Sequence, residues 1–492
     1  MTRRGLAVAV PAALTLLIAT ASSAAAQNLV DLLPLLLKQG AVIAKPGQNL
    51  LPTQIDSSAT DLSQSFVPAV TLTTVPQQLN AAMALQLSTG SLGPMAGTVI
   101  YSRDGNGPEM HQAFGSAYAD RGRPMGKGRI GLAMSFQNDE YQNFDGVDLN
   151  GGGVNFLFAN AGPSPDTSDV LQETVSYRLN RKTTSFLLNY GATDRLDLRV
   201  VVPVVQVAMD IRVQSRILRV RSSLDTLASC AGVPARNTGN GPALALCQDP
   251  HGFDTALTLG THDTYLDLGV GIVPVFNNYG VQGKTARGIG DVQLGAKYAL
   301  VSVPSTALAV TINASLPTGN SDNFLGNGAY RTTPGVAWSA AVGRVSPHAS
   351  AGYTLSRGNL SSSLSDPTLT PSVPDTKVPN EINWAAGFDA AIAPRTTLVT
   401  DFLGRTLKNV QRFATGSTVF ATGIPNYPSD VAASTDLVLN GRGDLQQVFG
   451  TIGARINLYG SIFANGTVLF PVKVDGLKPR PSAAFWIDYA FK

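Results

Sequence analysis

His348, Ala349 and Ser350 place a base and a nucleophile two residues apart, so on a strand both side chains share one face. Activating a serine hydroxyl requires such a base within hydrogen-bond reach. The pair, however, opens a strand beside the turn-like Arg344-Val-Ser-Pro347, and Ala351, Tyr353 and Leu355 mark the opposite face as apolar. We read His348 as an incidental end-of-strand residue. The other histidines, His111, His251 and His262, are scattered without metal-ligand spacing. Asp139, Glu140 and Asp145 read as solvated carboxylates near a loop. Gly151-Gly-Gly153 is no phosphate loop, because neither a Lys-Ser/Thr pair nor a helix follows. No metal, cofactor or catalytic residue is expected.

Cys230 and Cys247 stand close together in a stretch rich in Gly, Pro and Asn. In an exported chain, two nearby cysteines read as a disulfide, which would restrain that loop by limiting its unfolded freedom. Export itself is read from the start of the chain. Thr2-Arg-Arg precedes an apolar run from Leu6 to Ala19, and small residues lead to Ala24-Ala-Ala26 before Gln27. Basic start, short apolar core and A-x-A exit make residues 1–26 a cleaved signal peptide. Pro11 interrupts the run, which is short for a membrane-spanning helix of ~20 residues.

The elements that must carry the remaining chemistry are strands. In the last segment, Phe485, Ile487, Tyr489 and Phe491 fall on one face, while Trp486, Asp488 and Ala490 fall on the other. Leu294, Ala296, Tyr298 and Leu300 oppose Gln293, Gly295, Lys297 and Ala299. Ile452, Ala454, Ile456 and Leu458 oppose Thr451, Gly453, Arg455 and Asn457. Such period-two runs are strands with one apolar and one small or polar face. About twelve recur, near 128–140, 172–190, 195–215, 286–301, 306–317, 332–343, 348–358, 380–392, 396–407, 445–458, 462–474 and 481–492. Short connections alternate with long ones near 143–171, 216–285, 318–331, 359–379 and 408–444. The short 475–480 link must then serve as a loop at the long-loop end.

Only 14% of the 492 residues are charged, while Gly reaches 49. Low charge fits strands that face lipid on one side. The net charge of +3 argues for no nucleic-acid partner. The fold class expected is all-β: a transmembrane antiparallel β-barrel of about twelve strands over residues 126–492, in the bacterial outer membrane. Residues 27–125 break the pattern and contain two short helix-like stretches, Leu29 to Leu37 and Gln77 to Leu87. They form a partly helical arm, and both a lumen plug and a periplasmic arm stay open as readings.

If the apolar faces meet lipid, the charged residues of the other faces line the lumen. These are Arg129, Asp197, Arg199, Asp210, Arg212, Asp291, Lys297, Asp389, Asp401, Arg405, Arg455 and Asp488. They either set selectivity or pair with one another to satisfy a polar interior, and the second is the simpler reading. Tyr353, Trp384, Phe388, Phe402, Phe470 and Tyr489 read as membrane-facing aromatics. One strand carries an anomaly: Leu196, Leu198 and Val200 are apolar at even positions. After Pro203 the apolar residues are Val205, Val207, Met209, Ile211 and Val213, at odd positions. Continuous membrane pairing would require a bulge near Val202-Pro203, or else two separate strands.

Gly288-Ile-Gly-Asp-Val-Gln-Leu-Gly-Ala-Lys-Tyr298, followed by Ser315-Leu-Pro-Thr-Gly-Asn320, resembles the outer-membrane barrels known as phenol-degradation meta-pathway transporter proteins. Asn189 to Leu198, with Val202-Pro203 after it, is similar to the preceding hairpin of that family. The resemblance spans about residues 172–492. It implies an outer-membrane barrel for uptake of hydrophobic or aromatic compounds and supplies no catalytic residues. The partners expected are therefore outer-membrane lipid and a small-molecule solute. Two rivals remain: a non-conducting surface barrel acting through its long loops, and a barrel hydrolase, although the H-D-S-N-G pattern of barrel lipases is missing.

Overall fold

The computed structural model describes residues 28–33, 42–43, 60–61, 66–68, 75–89, 119–160, 169–219, 257–258, 279–360, 376–421 and 430–491. The signal-peptide reading, the Cys230–Cys247 pairing and His111, His251 and His262 lie outside the described residues.

Twelve antiparallel strands form one closed sheet. They are β1 (Ile130–Phe144), β2 (Asp169–Gly191), β3 (Leu196–Arg219), β4 in two pieces (Tyr279–Ile289 and Gln293–Val303), β5 (Thr306–Ser315) and β6 (Tyr330–Ala340). Then come β7 (Val345–Arg357), β8 (Glu381–Ala393), β9 (Thr396–Ala421), β10 (Asp430–Tyr459), β11 (Ile462–Val474) and β12 (Ser482–Phe491). The final strand closes the ring on the first, from Phe491 opposite Ile130 to Ala484 opposite Gln137. Closure removes both sheet edges, which a strand-built membrane protein requires because lipid offers backbone groups no partner.

Alternation decides which face meets lipid. Leu132, Met134 and Phe136 on β1, Phe186, Leu188 and Tyr190 on β2, and Phe485, Ile487 and Tyr489 on β12 all point outward and stand exposed. So do the six aromatics read as membrane-facing. The second piece of β4 and β5 are 11 and 10 residues long, the length a tilted strand needs to cross a bilayer (~9–11 residues). By contrast β9 and β10 run to 26 and 30 residues. The expected loop over 408–444 is therefore mostly a hairpin standing beyond the apolar belt. Its two strands stay paired as far as Ala421 opposite Asp430.

No bulge interrupts β3 at Val202-Pro203. Its pairing with β2 runs unshifted from Asp197 opposite Gly191 to Arg219 opposite Asp169. The irregularity sits in the neighbour: β4 is split at Gly290-Asp291-Val292. Gly290 N–H donates to the Pro203 carbonyl at 2.8 Å. The N and C=O of one strand residue point to the same side, so the donor that Pro203 lacks faces that split.

The reversal of polarity along β3 has another cause. From Leu196 to Val213 its even positions face outward and its odd positions inward. Beyond Val204 the strand leaves the apolar belt, so Asp210 and Arg212 are exposed on the outside. Val205, Val207, Met209, Ile211 and Val213 are fully buried inside. β2 does the same, with Arg178 and Lys182 exposed outside and Val175, Tyr177 and Leu179 buried inside. What these residues pack on is the N-terminal segment. Helix α1 (Val75–Thr89) is buried from Leu79 through Leu87, as a helix without a polar face must be. Leu79, Met83 and Leu87, with Leu29, Leu32 and Leu33, join one apolar cluster with the inward faces of β2 and β3.

Candidate functional site

The interior has two storeys. At the loop end, α1 and residues 28–33 fill it. Asn80 Nδ2 donates to the Val30 carbonyl at 2.8 Å, fixing one piece on the other. Gln86 Oε1 accepts from Leu477 N–H at 2.6 Å, and Leu29 N–H donates to Asn323 Oδ1 at 3.2 Å. Leu85 packs with Leu407, Val410 and Leu445, on the inward faces of β9 and β10. Polar contacts thus fix the register of a segment held mainly by apolar burial.

At the turn end, residues 119–125 cross the interior, and their hold is mainly ionic. Asp197 accepts the Met125 N–H on both carboxylate oxygens, at 3.0 and 3.0 Å. Lys297 Nζ lies 3.4 Å from Asp197 and donates to the Arg123 carbonyl at 3.1 Å. Arg199 meets Asp120 at 3.0 Å, and Arg121 pairs with Asp389 where both are buried. Gly122 lies flat on the wall, where a Cβ would overlap the Ala307 carbonyl. Four residues expected along the lumen, Asp197, Arg199, Lys297 and Asp389, therefore hold this segment.

The other candidates divide. Arg455 Nη2 bonds Asp488 at 2.9 and 2.7 Å, with Asn465 Nδ2 on the same carboxylate at 3.2 Å and the Arg455 guanidinium over the Phe463 ring at 4.9 Å. Asp401 accepts from His348 Nε2 at 2.7 Å, both side chains fully buried. The other ring nitrogen of His348, Nδ1, lies 3.2 Å from the Ser346 carbonyl. His348 is thus a wall-to-wall tie and not an incidental residue, and neither ring nitrogen is directed at Ser350. Arg129 sits half-buried just before β1, where its carbonyl accepts from Gly191 N–H. Asp210 and Arg212 do not line the interior. They were placed there on the premise that polar faces point inward everywhere, which fails beyond the belt, where water is outside and α1 inside.

Asp145 corrects another expectation. Far from solvated, its side chain is buried and ties its own turn to two other elements, β9 and the 475–480 link. It accepts from Arg412 Nη2 at 2.9 Å, Phe413 N–H at 3.0 Å and Gly476 N–H at 2.8 Å. The 475–480 connection does serve as the short link at the loop end, latched by this carboxylate. Asp139 is buried beside Gln137, whereas Glu140 is an exposed partner of Arg480 at 3.2 Å.

Between the storeys lies a cavity of about 230 Å³, bounded by Val205 and Leu325 toward the helix cluster and Asp120 toward the lower segment. Arg181, Arg331 and Arg405 line it, with Glu381, Asp291, Thr333, Ser350, Thr354 and Asn383. Arg331 Nη2 meets Glu381 at 2.6 Å, and Arg405 Nε donates to Gln447 Oε1 at 2.7 Å. Asp291 is occupied by the backbone, accepting from Gly319 and Asn327 N–H at 3.0 and 3.0 Å. This contact joins the G-x-G-D and P-T-G-N stretches, with Thr318 Oγ1 donating to the Gly290 carbonyl at 2.6 Å and accepting from Val292 N–H at 2.9 Å. Arg181, Arg331 and Glu381 were not singled out in the sequence. The signal was present as parity, since Arg181 shares the inward phase of Thr183 and Ser185, and Arg331 that of Thr333.

Among solved structures, the COG4313 outer membrane channel from Pseudomonas putida F1 is 11% identical. It covers 75% of this chain and 98% of its own, with a TM-score of 0.36. A Pseudomonas aeruginosa FadL homologue is 13% identical over 84% of this chain and 97% of its own, with a TM-score of 0.28. The KdgM porin is 6% identical over 73% and 99%, with a TM-score of 0.29. No curated protein matches by sequence. Residues 251–396, which hold both the G-x-G-D and the P-T-G-N stretches, match the family described as "Putative MetA-pathway of phenol degradation", the family that those strands resemble.

Proposed function

We propose that the protein is a bacterial outer-membrane channel for passive passage of small solutes, closed in this conformation by its own N-terminal segments. The observation that carries this reading is the fit between arm and barrel. Apolar wall meets apolar helix at one end, and charged wall meets a polar strap at the other. A barrel whose interior served only as a structural core would need no separate segment ionically tied at one mouth. Strands crossing a bilayer in a closed ring, with short turns at one end, fit the outer membrane with those turns in the periplasm. The family match and the apolar walls at Val205, Leu325 and Leu403 support hydrophobic or aromatic compounds as the solutes. The work is non-catalytic in this reading, because His348 spends both ring nitrogens on other partners.

The test is ionic conductance of the refolded protein in a planar bilayer, with and without residues 27–125. Small or absent currents in the full chain, and stepwise large ones after removal of the arm, are expected. Silence in both forms, with folding confirmed by heat-modifiable gel mobility, would overturn the channel reading and leave the outer loops as the working surface.

A further inference from the structure

The cavity between the two storeys brings Arg181, Arg331 and Arg405 to one wall-lined space. We propose that it takes a small organic carboxylate, of about one ring in size, held by Arg181 and Arg331 with Arg405 behind them. The inference builds on the channel reading by naming the solute class.

The argument is an accounting of donors. Arg181 is 3% exposed and lines the cavity, and its Nε finds no acceptor among the described residues. The Arg331 Nε is likewise unmatched. Of the carboxylates that share the cavity, Asp291 is committed to two backbone amides and Asp120 to Arg199, while Glu381 meets Arg331 and faces Arg405. Arg181, bonded to the Tyr141 hydroxyl, thus brings a buried guanidinium to the cavity beside Arg331 without a carboxylate of the cavity wall against it. Leaving such donors unmatched is costly, and a planar carboxylate is the group whose geometry matches a guanidinium fork.

The rest of the lining sets the size and shape of the ligand. Thr333, Ser350, Thr354 and Asn383 add neutral hydrogen-bonding groups, while Val205, Leu325 and Leu403 add apolar wall. A void of about 150 Å³ is enough to hold benzene. The 230 Å³ here has room for a ring with a carboxylate attached.

Benzoate is the probe, and benzyl alcohol, which keeps the ring without the charge, is the control. Binding to the full-length refolded protein is measured by isothermal titration and by quenching of tryptophan emission, neither of which depends on conductance. The site can therefore stand if the channel reading falls, and the reverse. Benzoate is expected to bind at least about tenfold more tightly than benzyl alcohol, the factor carried by one charge-assisted hydrogen bond. Arg181→Met, which keeps bulk without charge, should weaken benzoate by a similar factor and leave benzyl alcohol unchanged, with Arg331→Met as the second variant. Folding of each is checked by heat-modifiable mobility. Equal affinity for the two probes would overturn the proposal, as would undiminished benzoate binding in both variants.

Discussion

Asp197, on the wall, and Met125, on the segment that crosses the interior, meet through a backbone amide shared between both carboxylate oxygens at 3.0 Å. Lys297 braces the carboxylate from the next strand at 3.4 Å. Asp197→Ala removes the acceptor, leaving the Met125 N–H without a partner and Lys297 with the Arg123 carbonyl but no counter-charge, a loss of about 1–3 kcal/mol for a buried donor. That energy is spent on the fit of the segment rather than on the barrel. Conductance in planar bilayers should rise in amplitude or frequency, while heat-modifiable mobility stays that of the parent.

Helix α1 makes the same prediction from the apolar side. Met83 is fully buried among residues that have no counter-charge to offer. Met83→Asp forces either loss of packing or burial of a charge, and the helix should leave its seat. Limited proteolysis ahead of β1 should accelerate in the folded protein. A proteolysis rate equal to the parent's would show that the helix stays seated without its apolar contacts.

The two faces of the wall should respond in opposite ways. Ile487→Arg puts a charge on the lipid face and should cost about 2–4 kcal/mol, read from urea unfolding in phospholipid bilayers. Asp488→Ala, next along the strand, leaves Arg455 buried without its carboxylate and should cost about 3–5 kcal/mol. Asp210→Ala should lie within about 0.5 kcal/mol of the parent, because Asp210 is exposed beyond the belt. A large loss at Asp210 would mean that β3 faces the other way.

Gly404 offers a spectroscopic test of register. It stands opposite Trp384 on the lipid face, where a Cβ would overlap the indole ring. Gly404→Val should push the ring off the wall and shift the emission of Trp384, measured with Trp338 and Trp486 replaced by Phe. No shift would place the indole elsewhere.

Strand positions were open to sequence reading because the physical constraint is local. A bilayer fixes both the length of a strand and the polarity of alternate residues, so Leu132, Tyr298 and Ile487 declare their face one by one. The same rule failed at Asp210 and Arg212. Alternation says only that two faces differ, and which one is wet depends on what surrounds the strand at that height. The apolar odd positions from Val205 to Val213 read as a phase slip until α1 is placed inside to receive them.

The amino-acid sequence by itself determined a ring of about twelve strands, its lipid-facing side chains, and, within the apolar belt, the charges turned inward; Asp210 and Arg212 lie beyond it. Pairing among those charges was decided by the tertiary structure. Asp197 reaches Met125 across 72 residues and Asp145 reaches Gly476 across 331, separations over which no periodicity carries information. The arm is the clearest case. Nothing in Leu79 to Leu87 says where the helix goes, because an apolar helix specifies only that it be buried. The interior left by the closed barrel, apolar at one end and charged at the other, supplies the place.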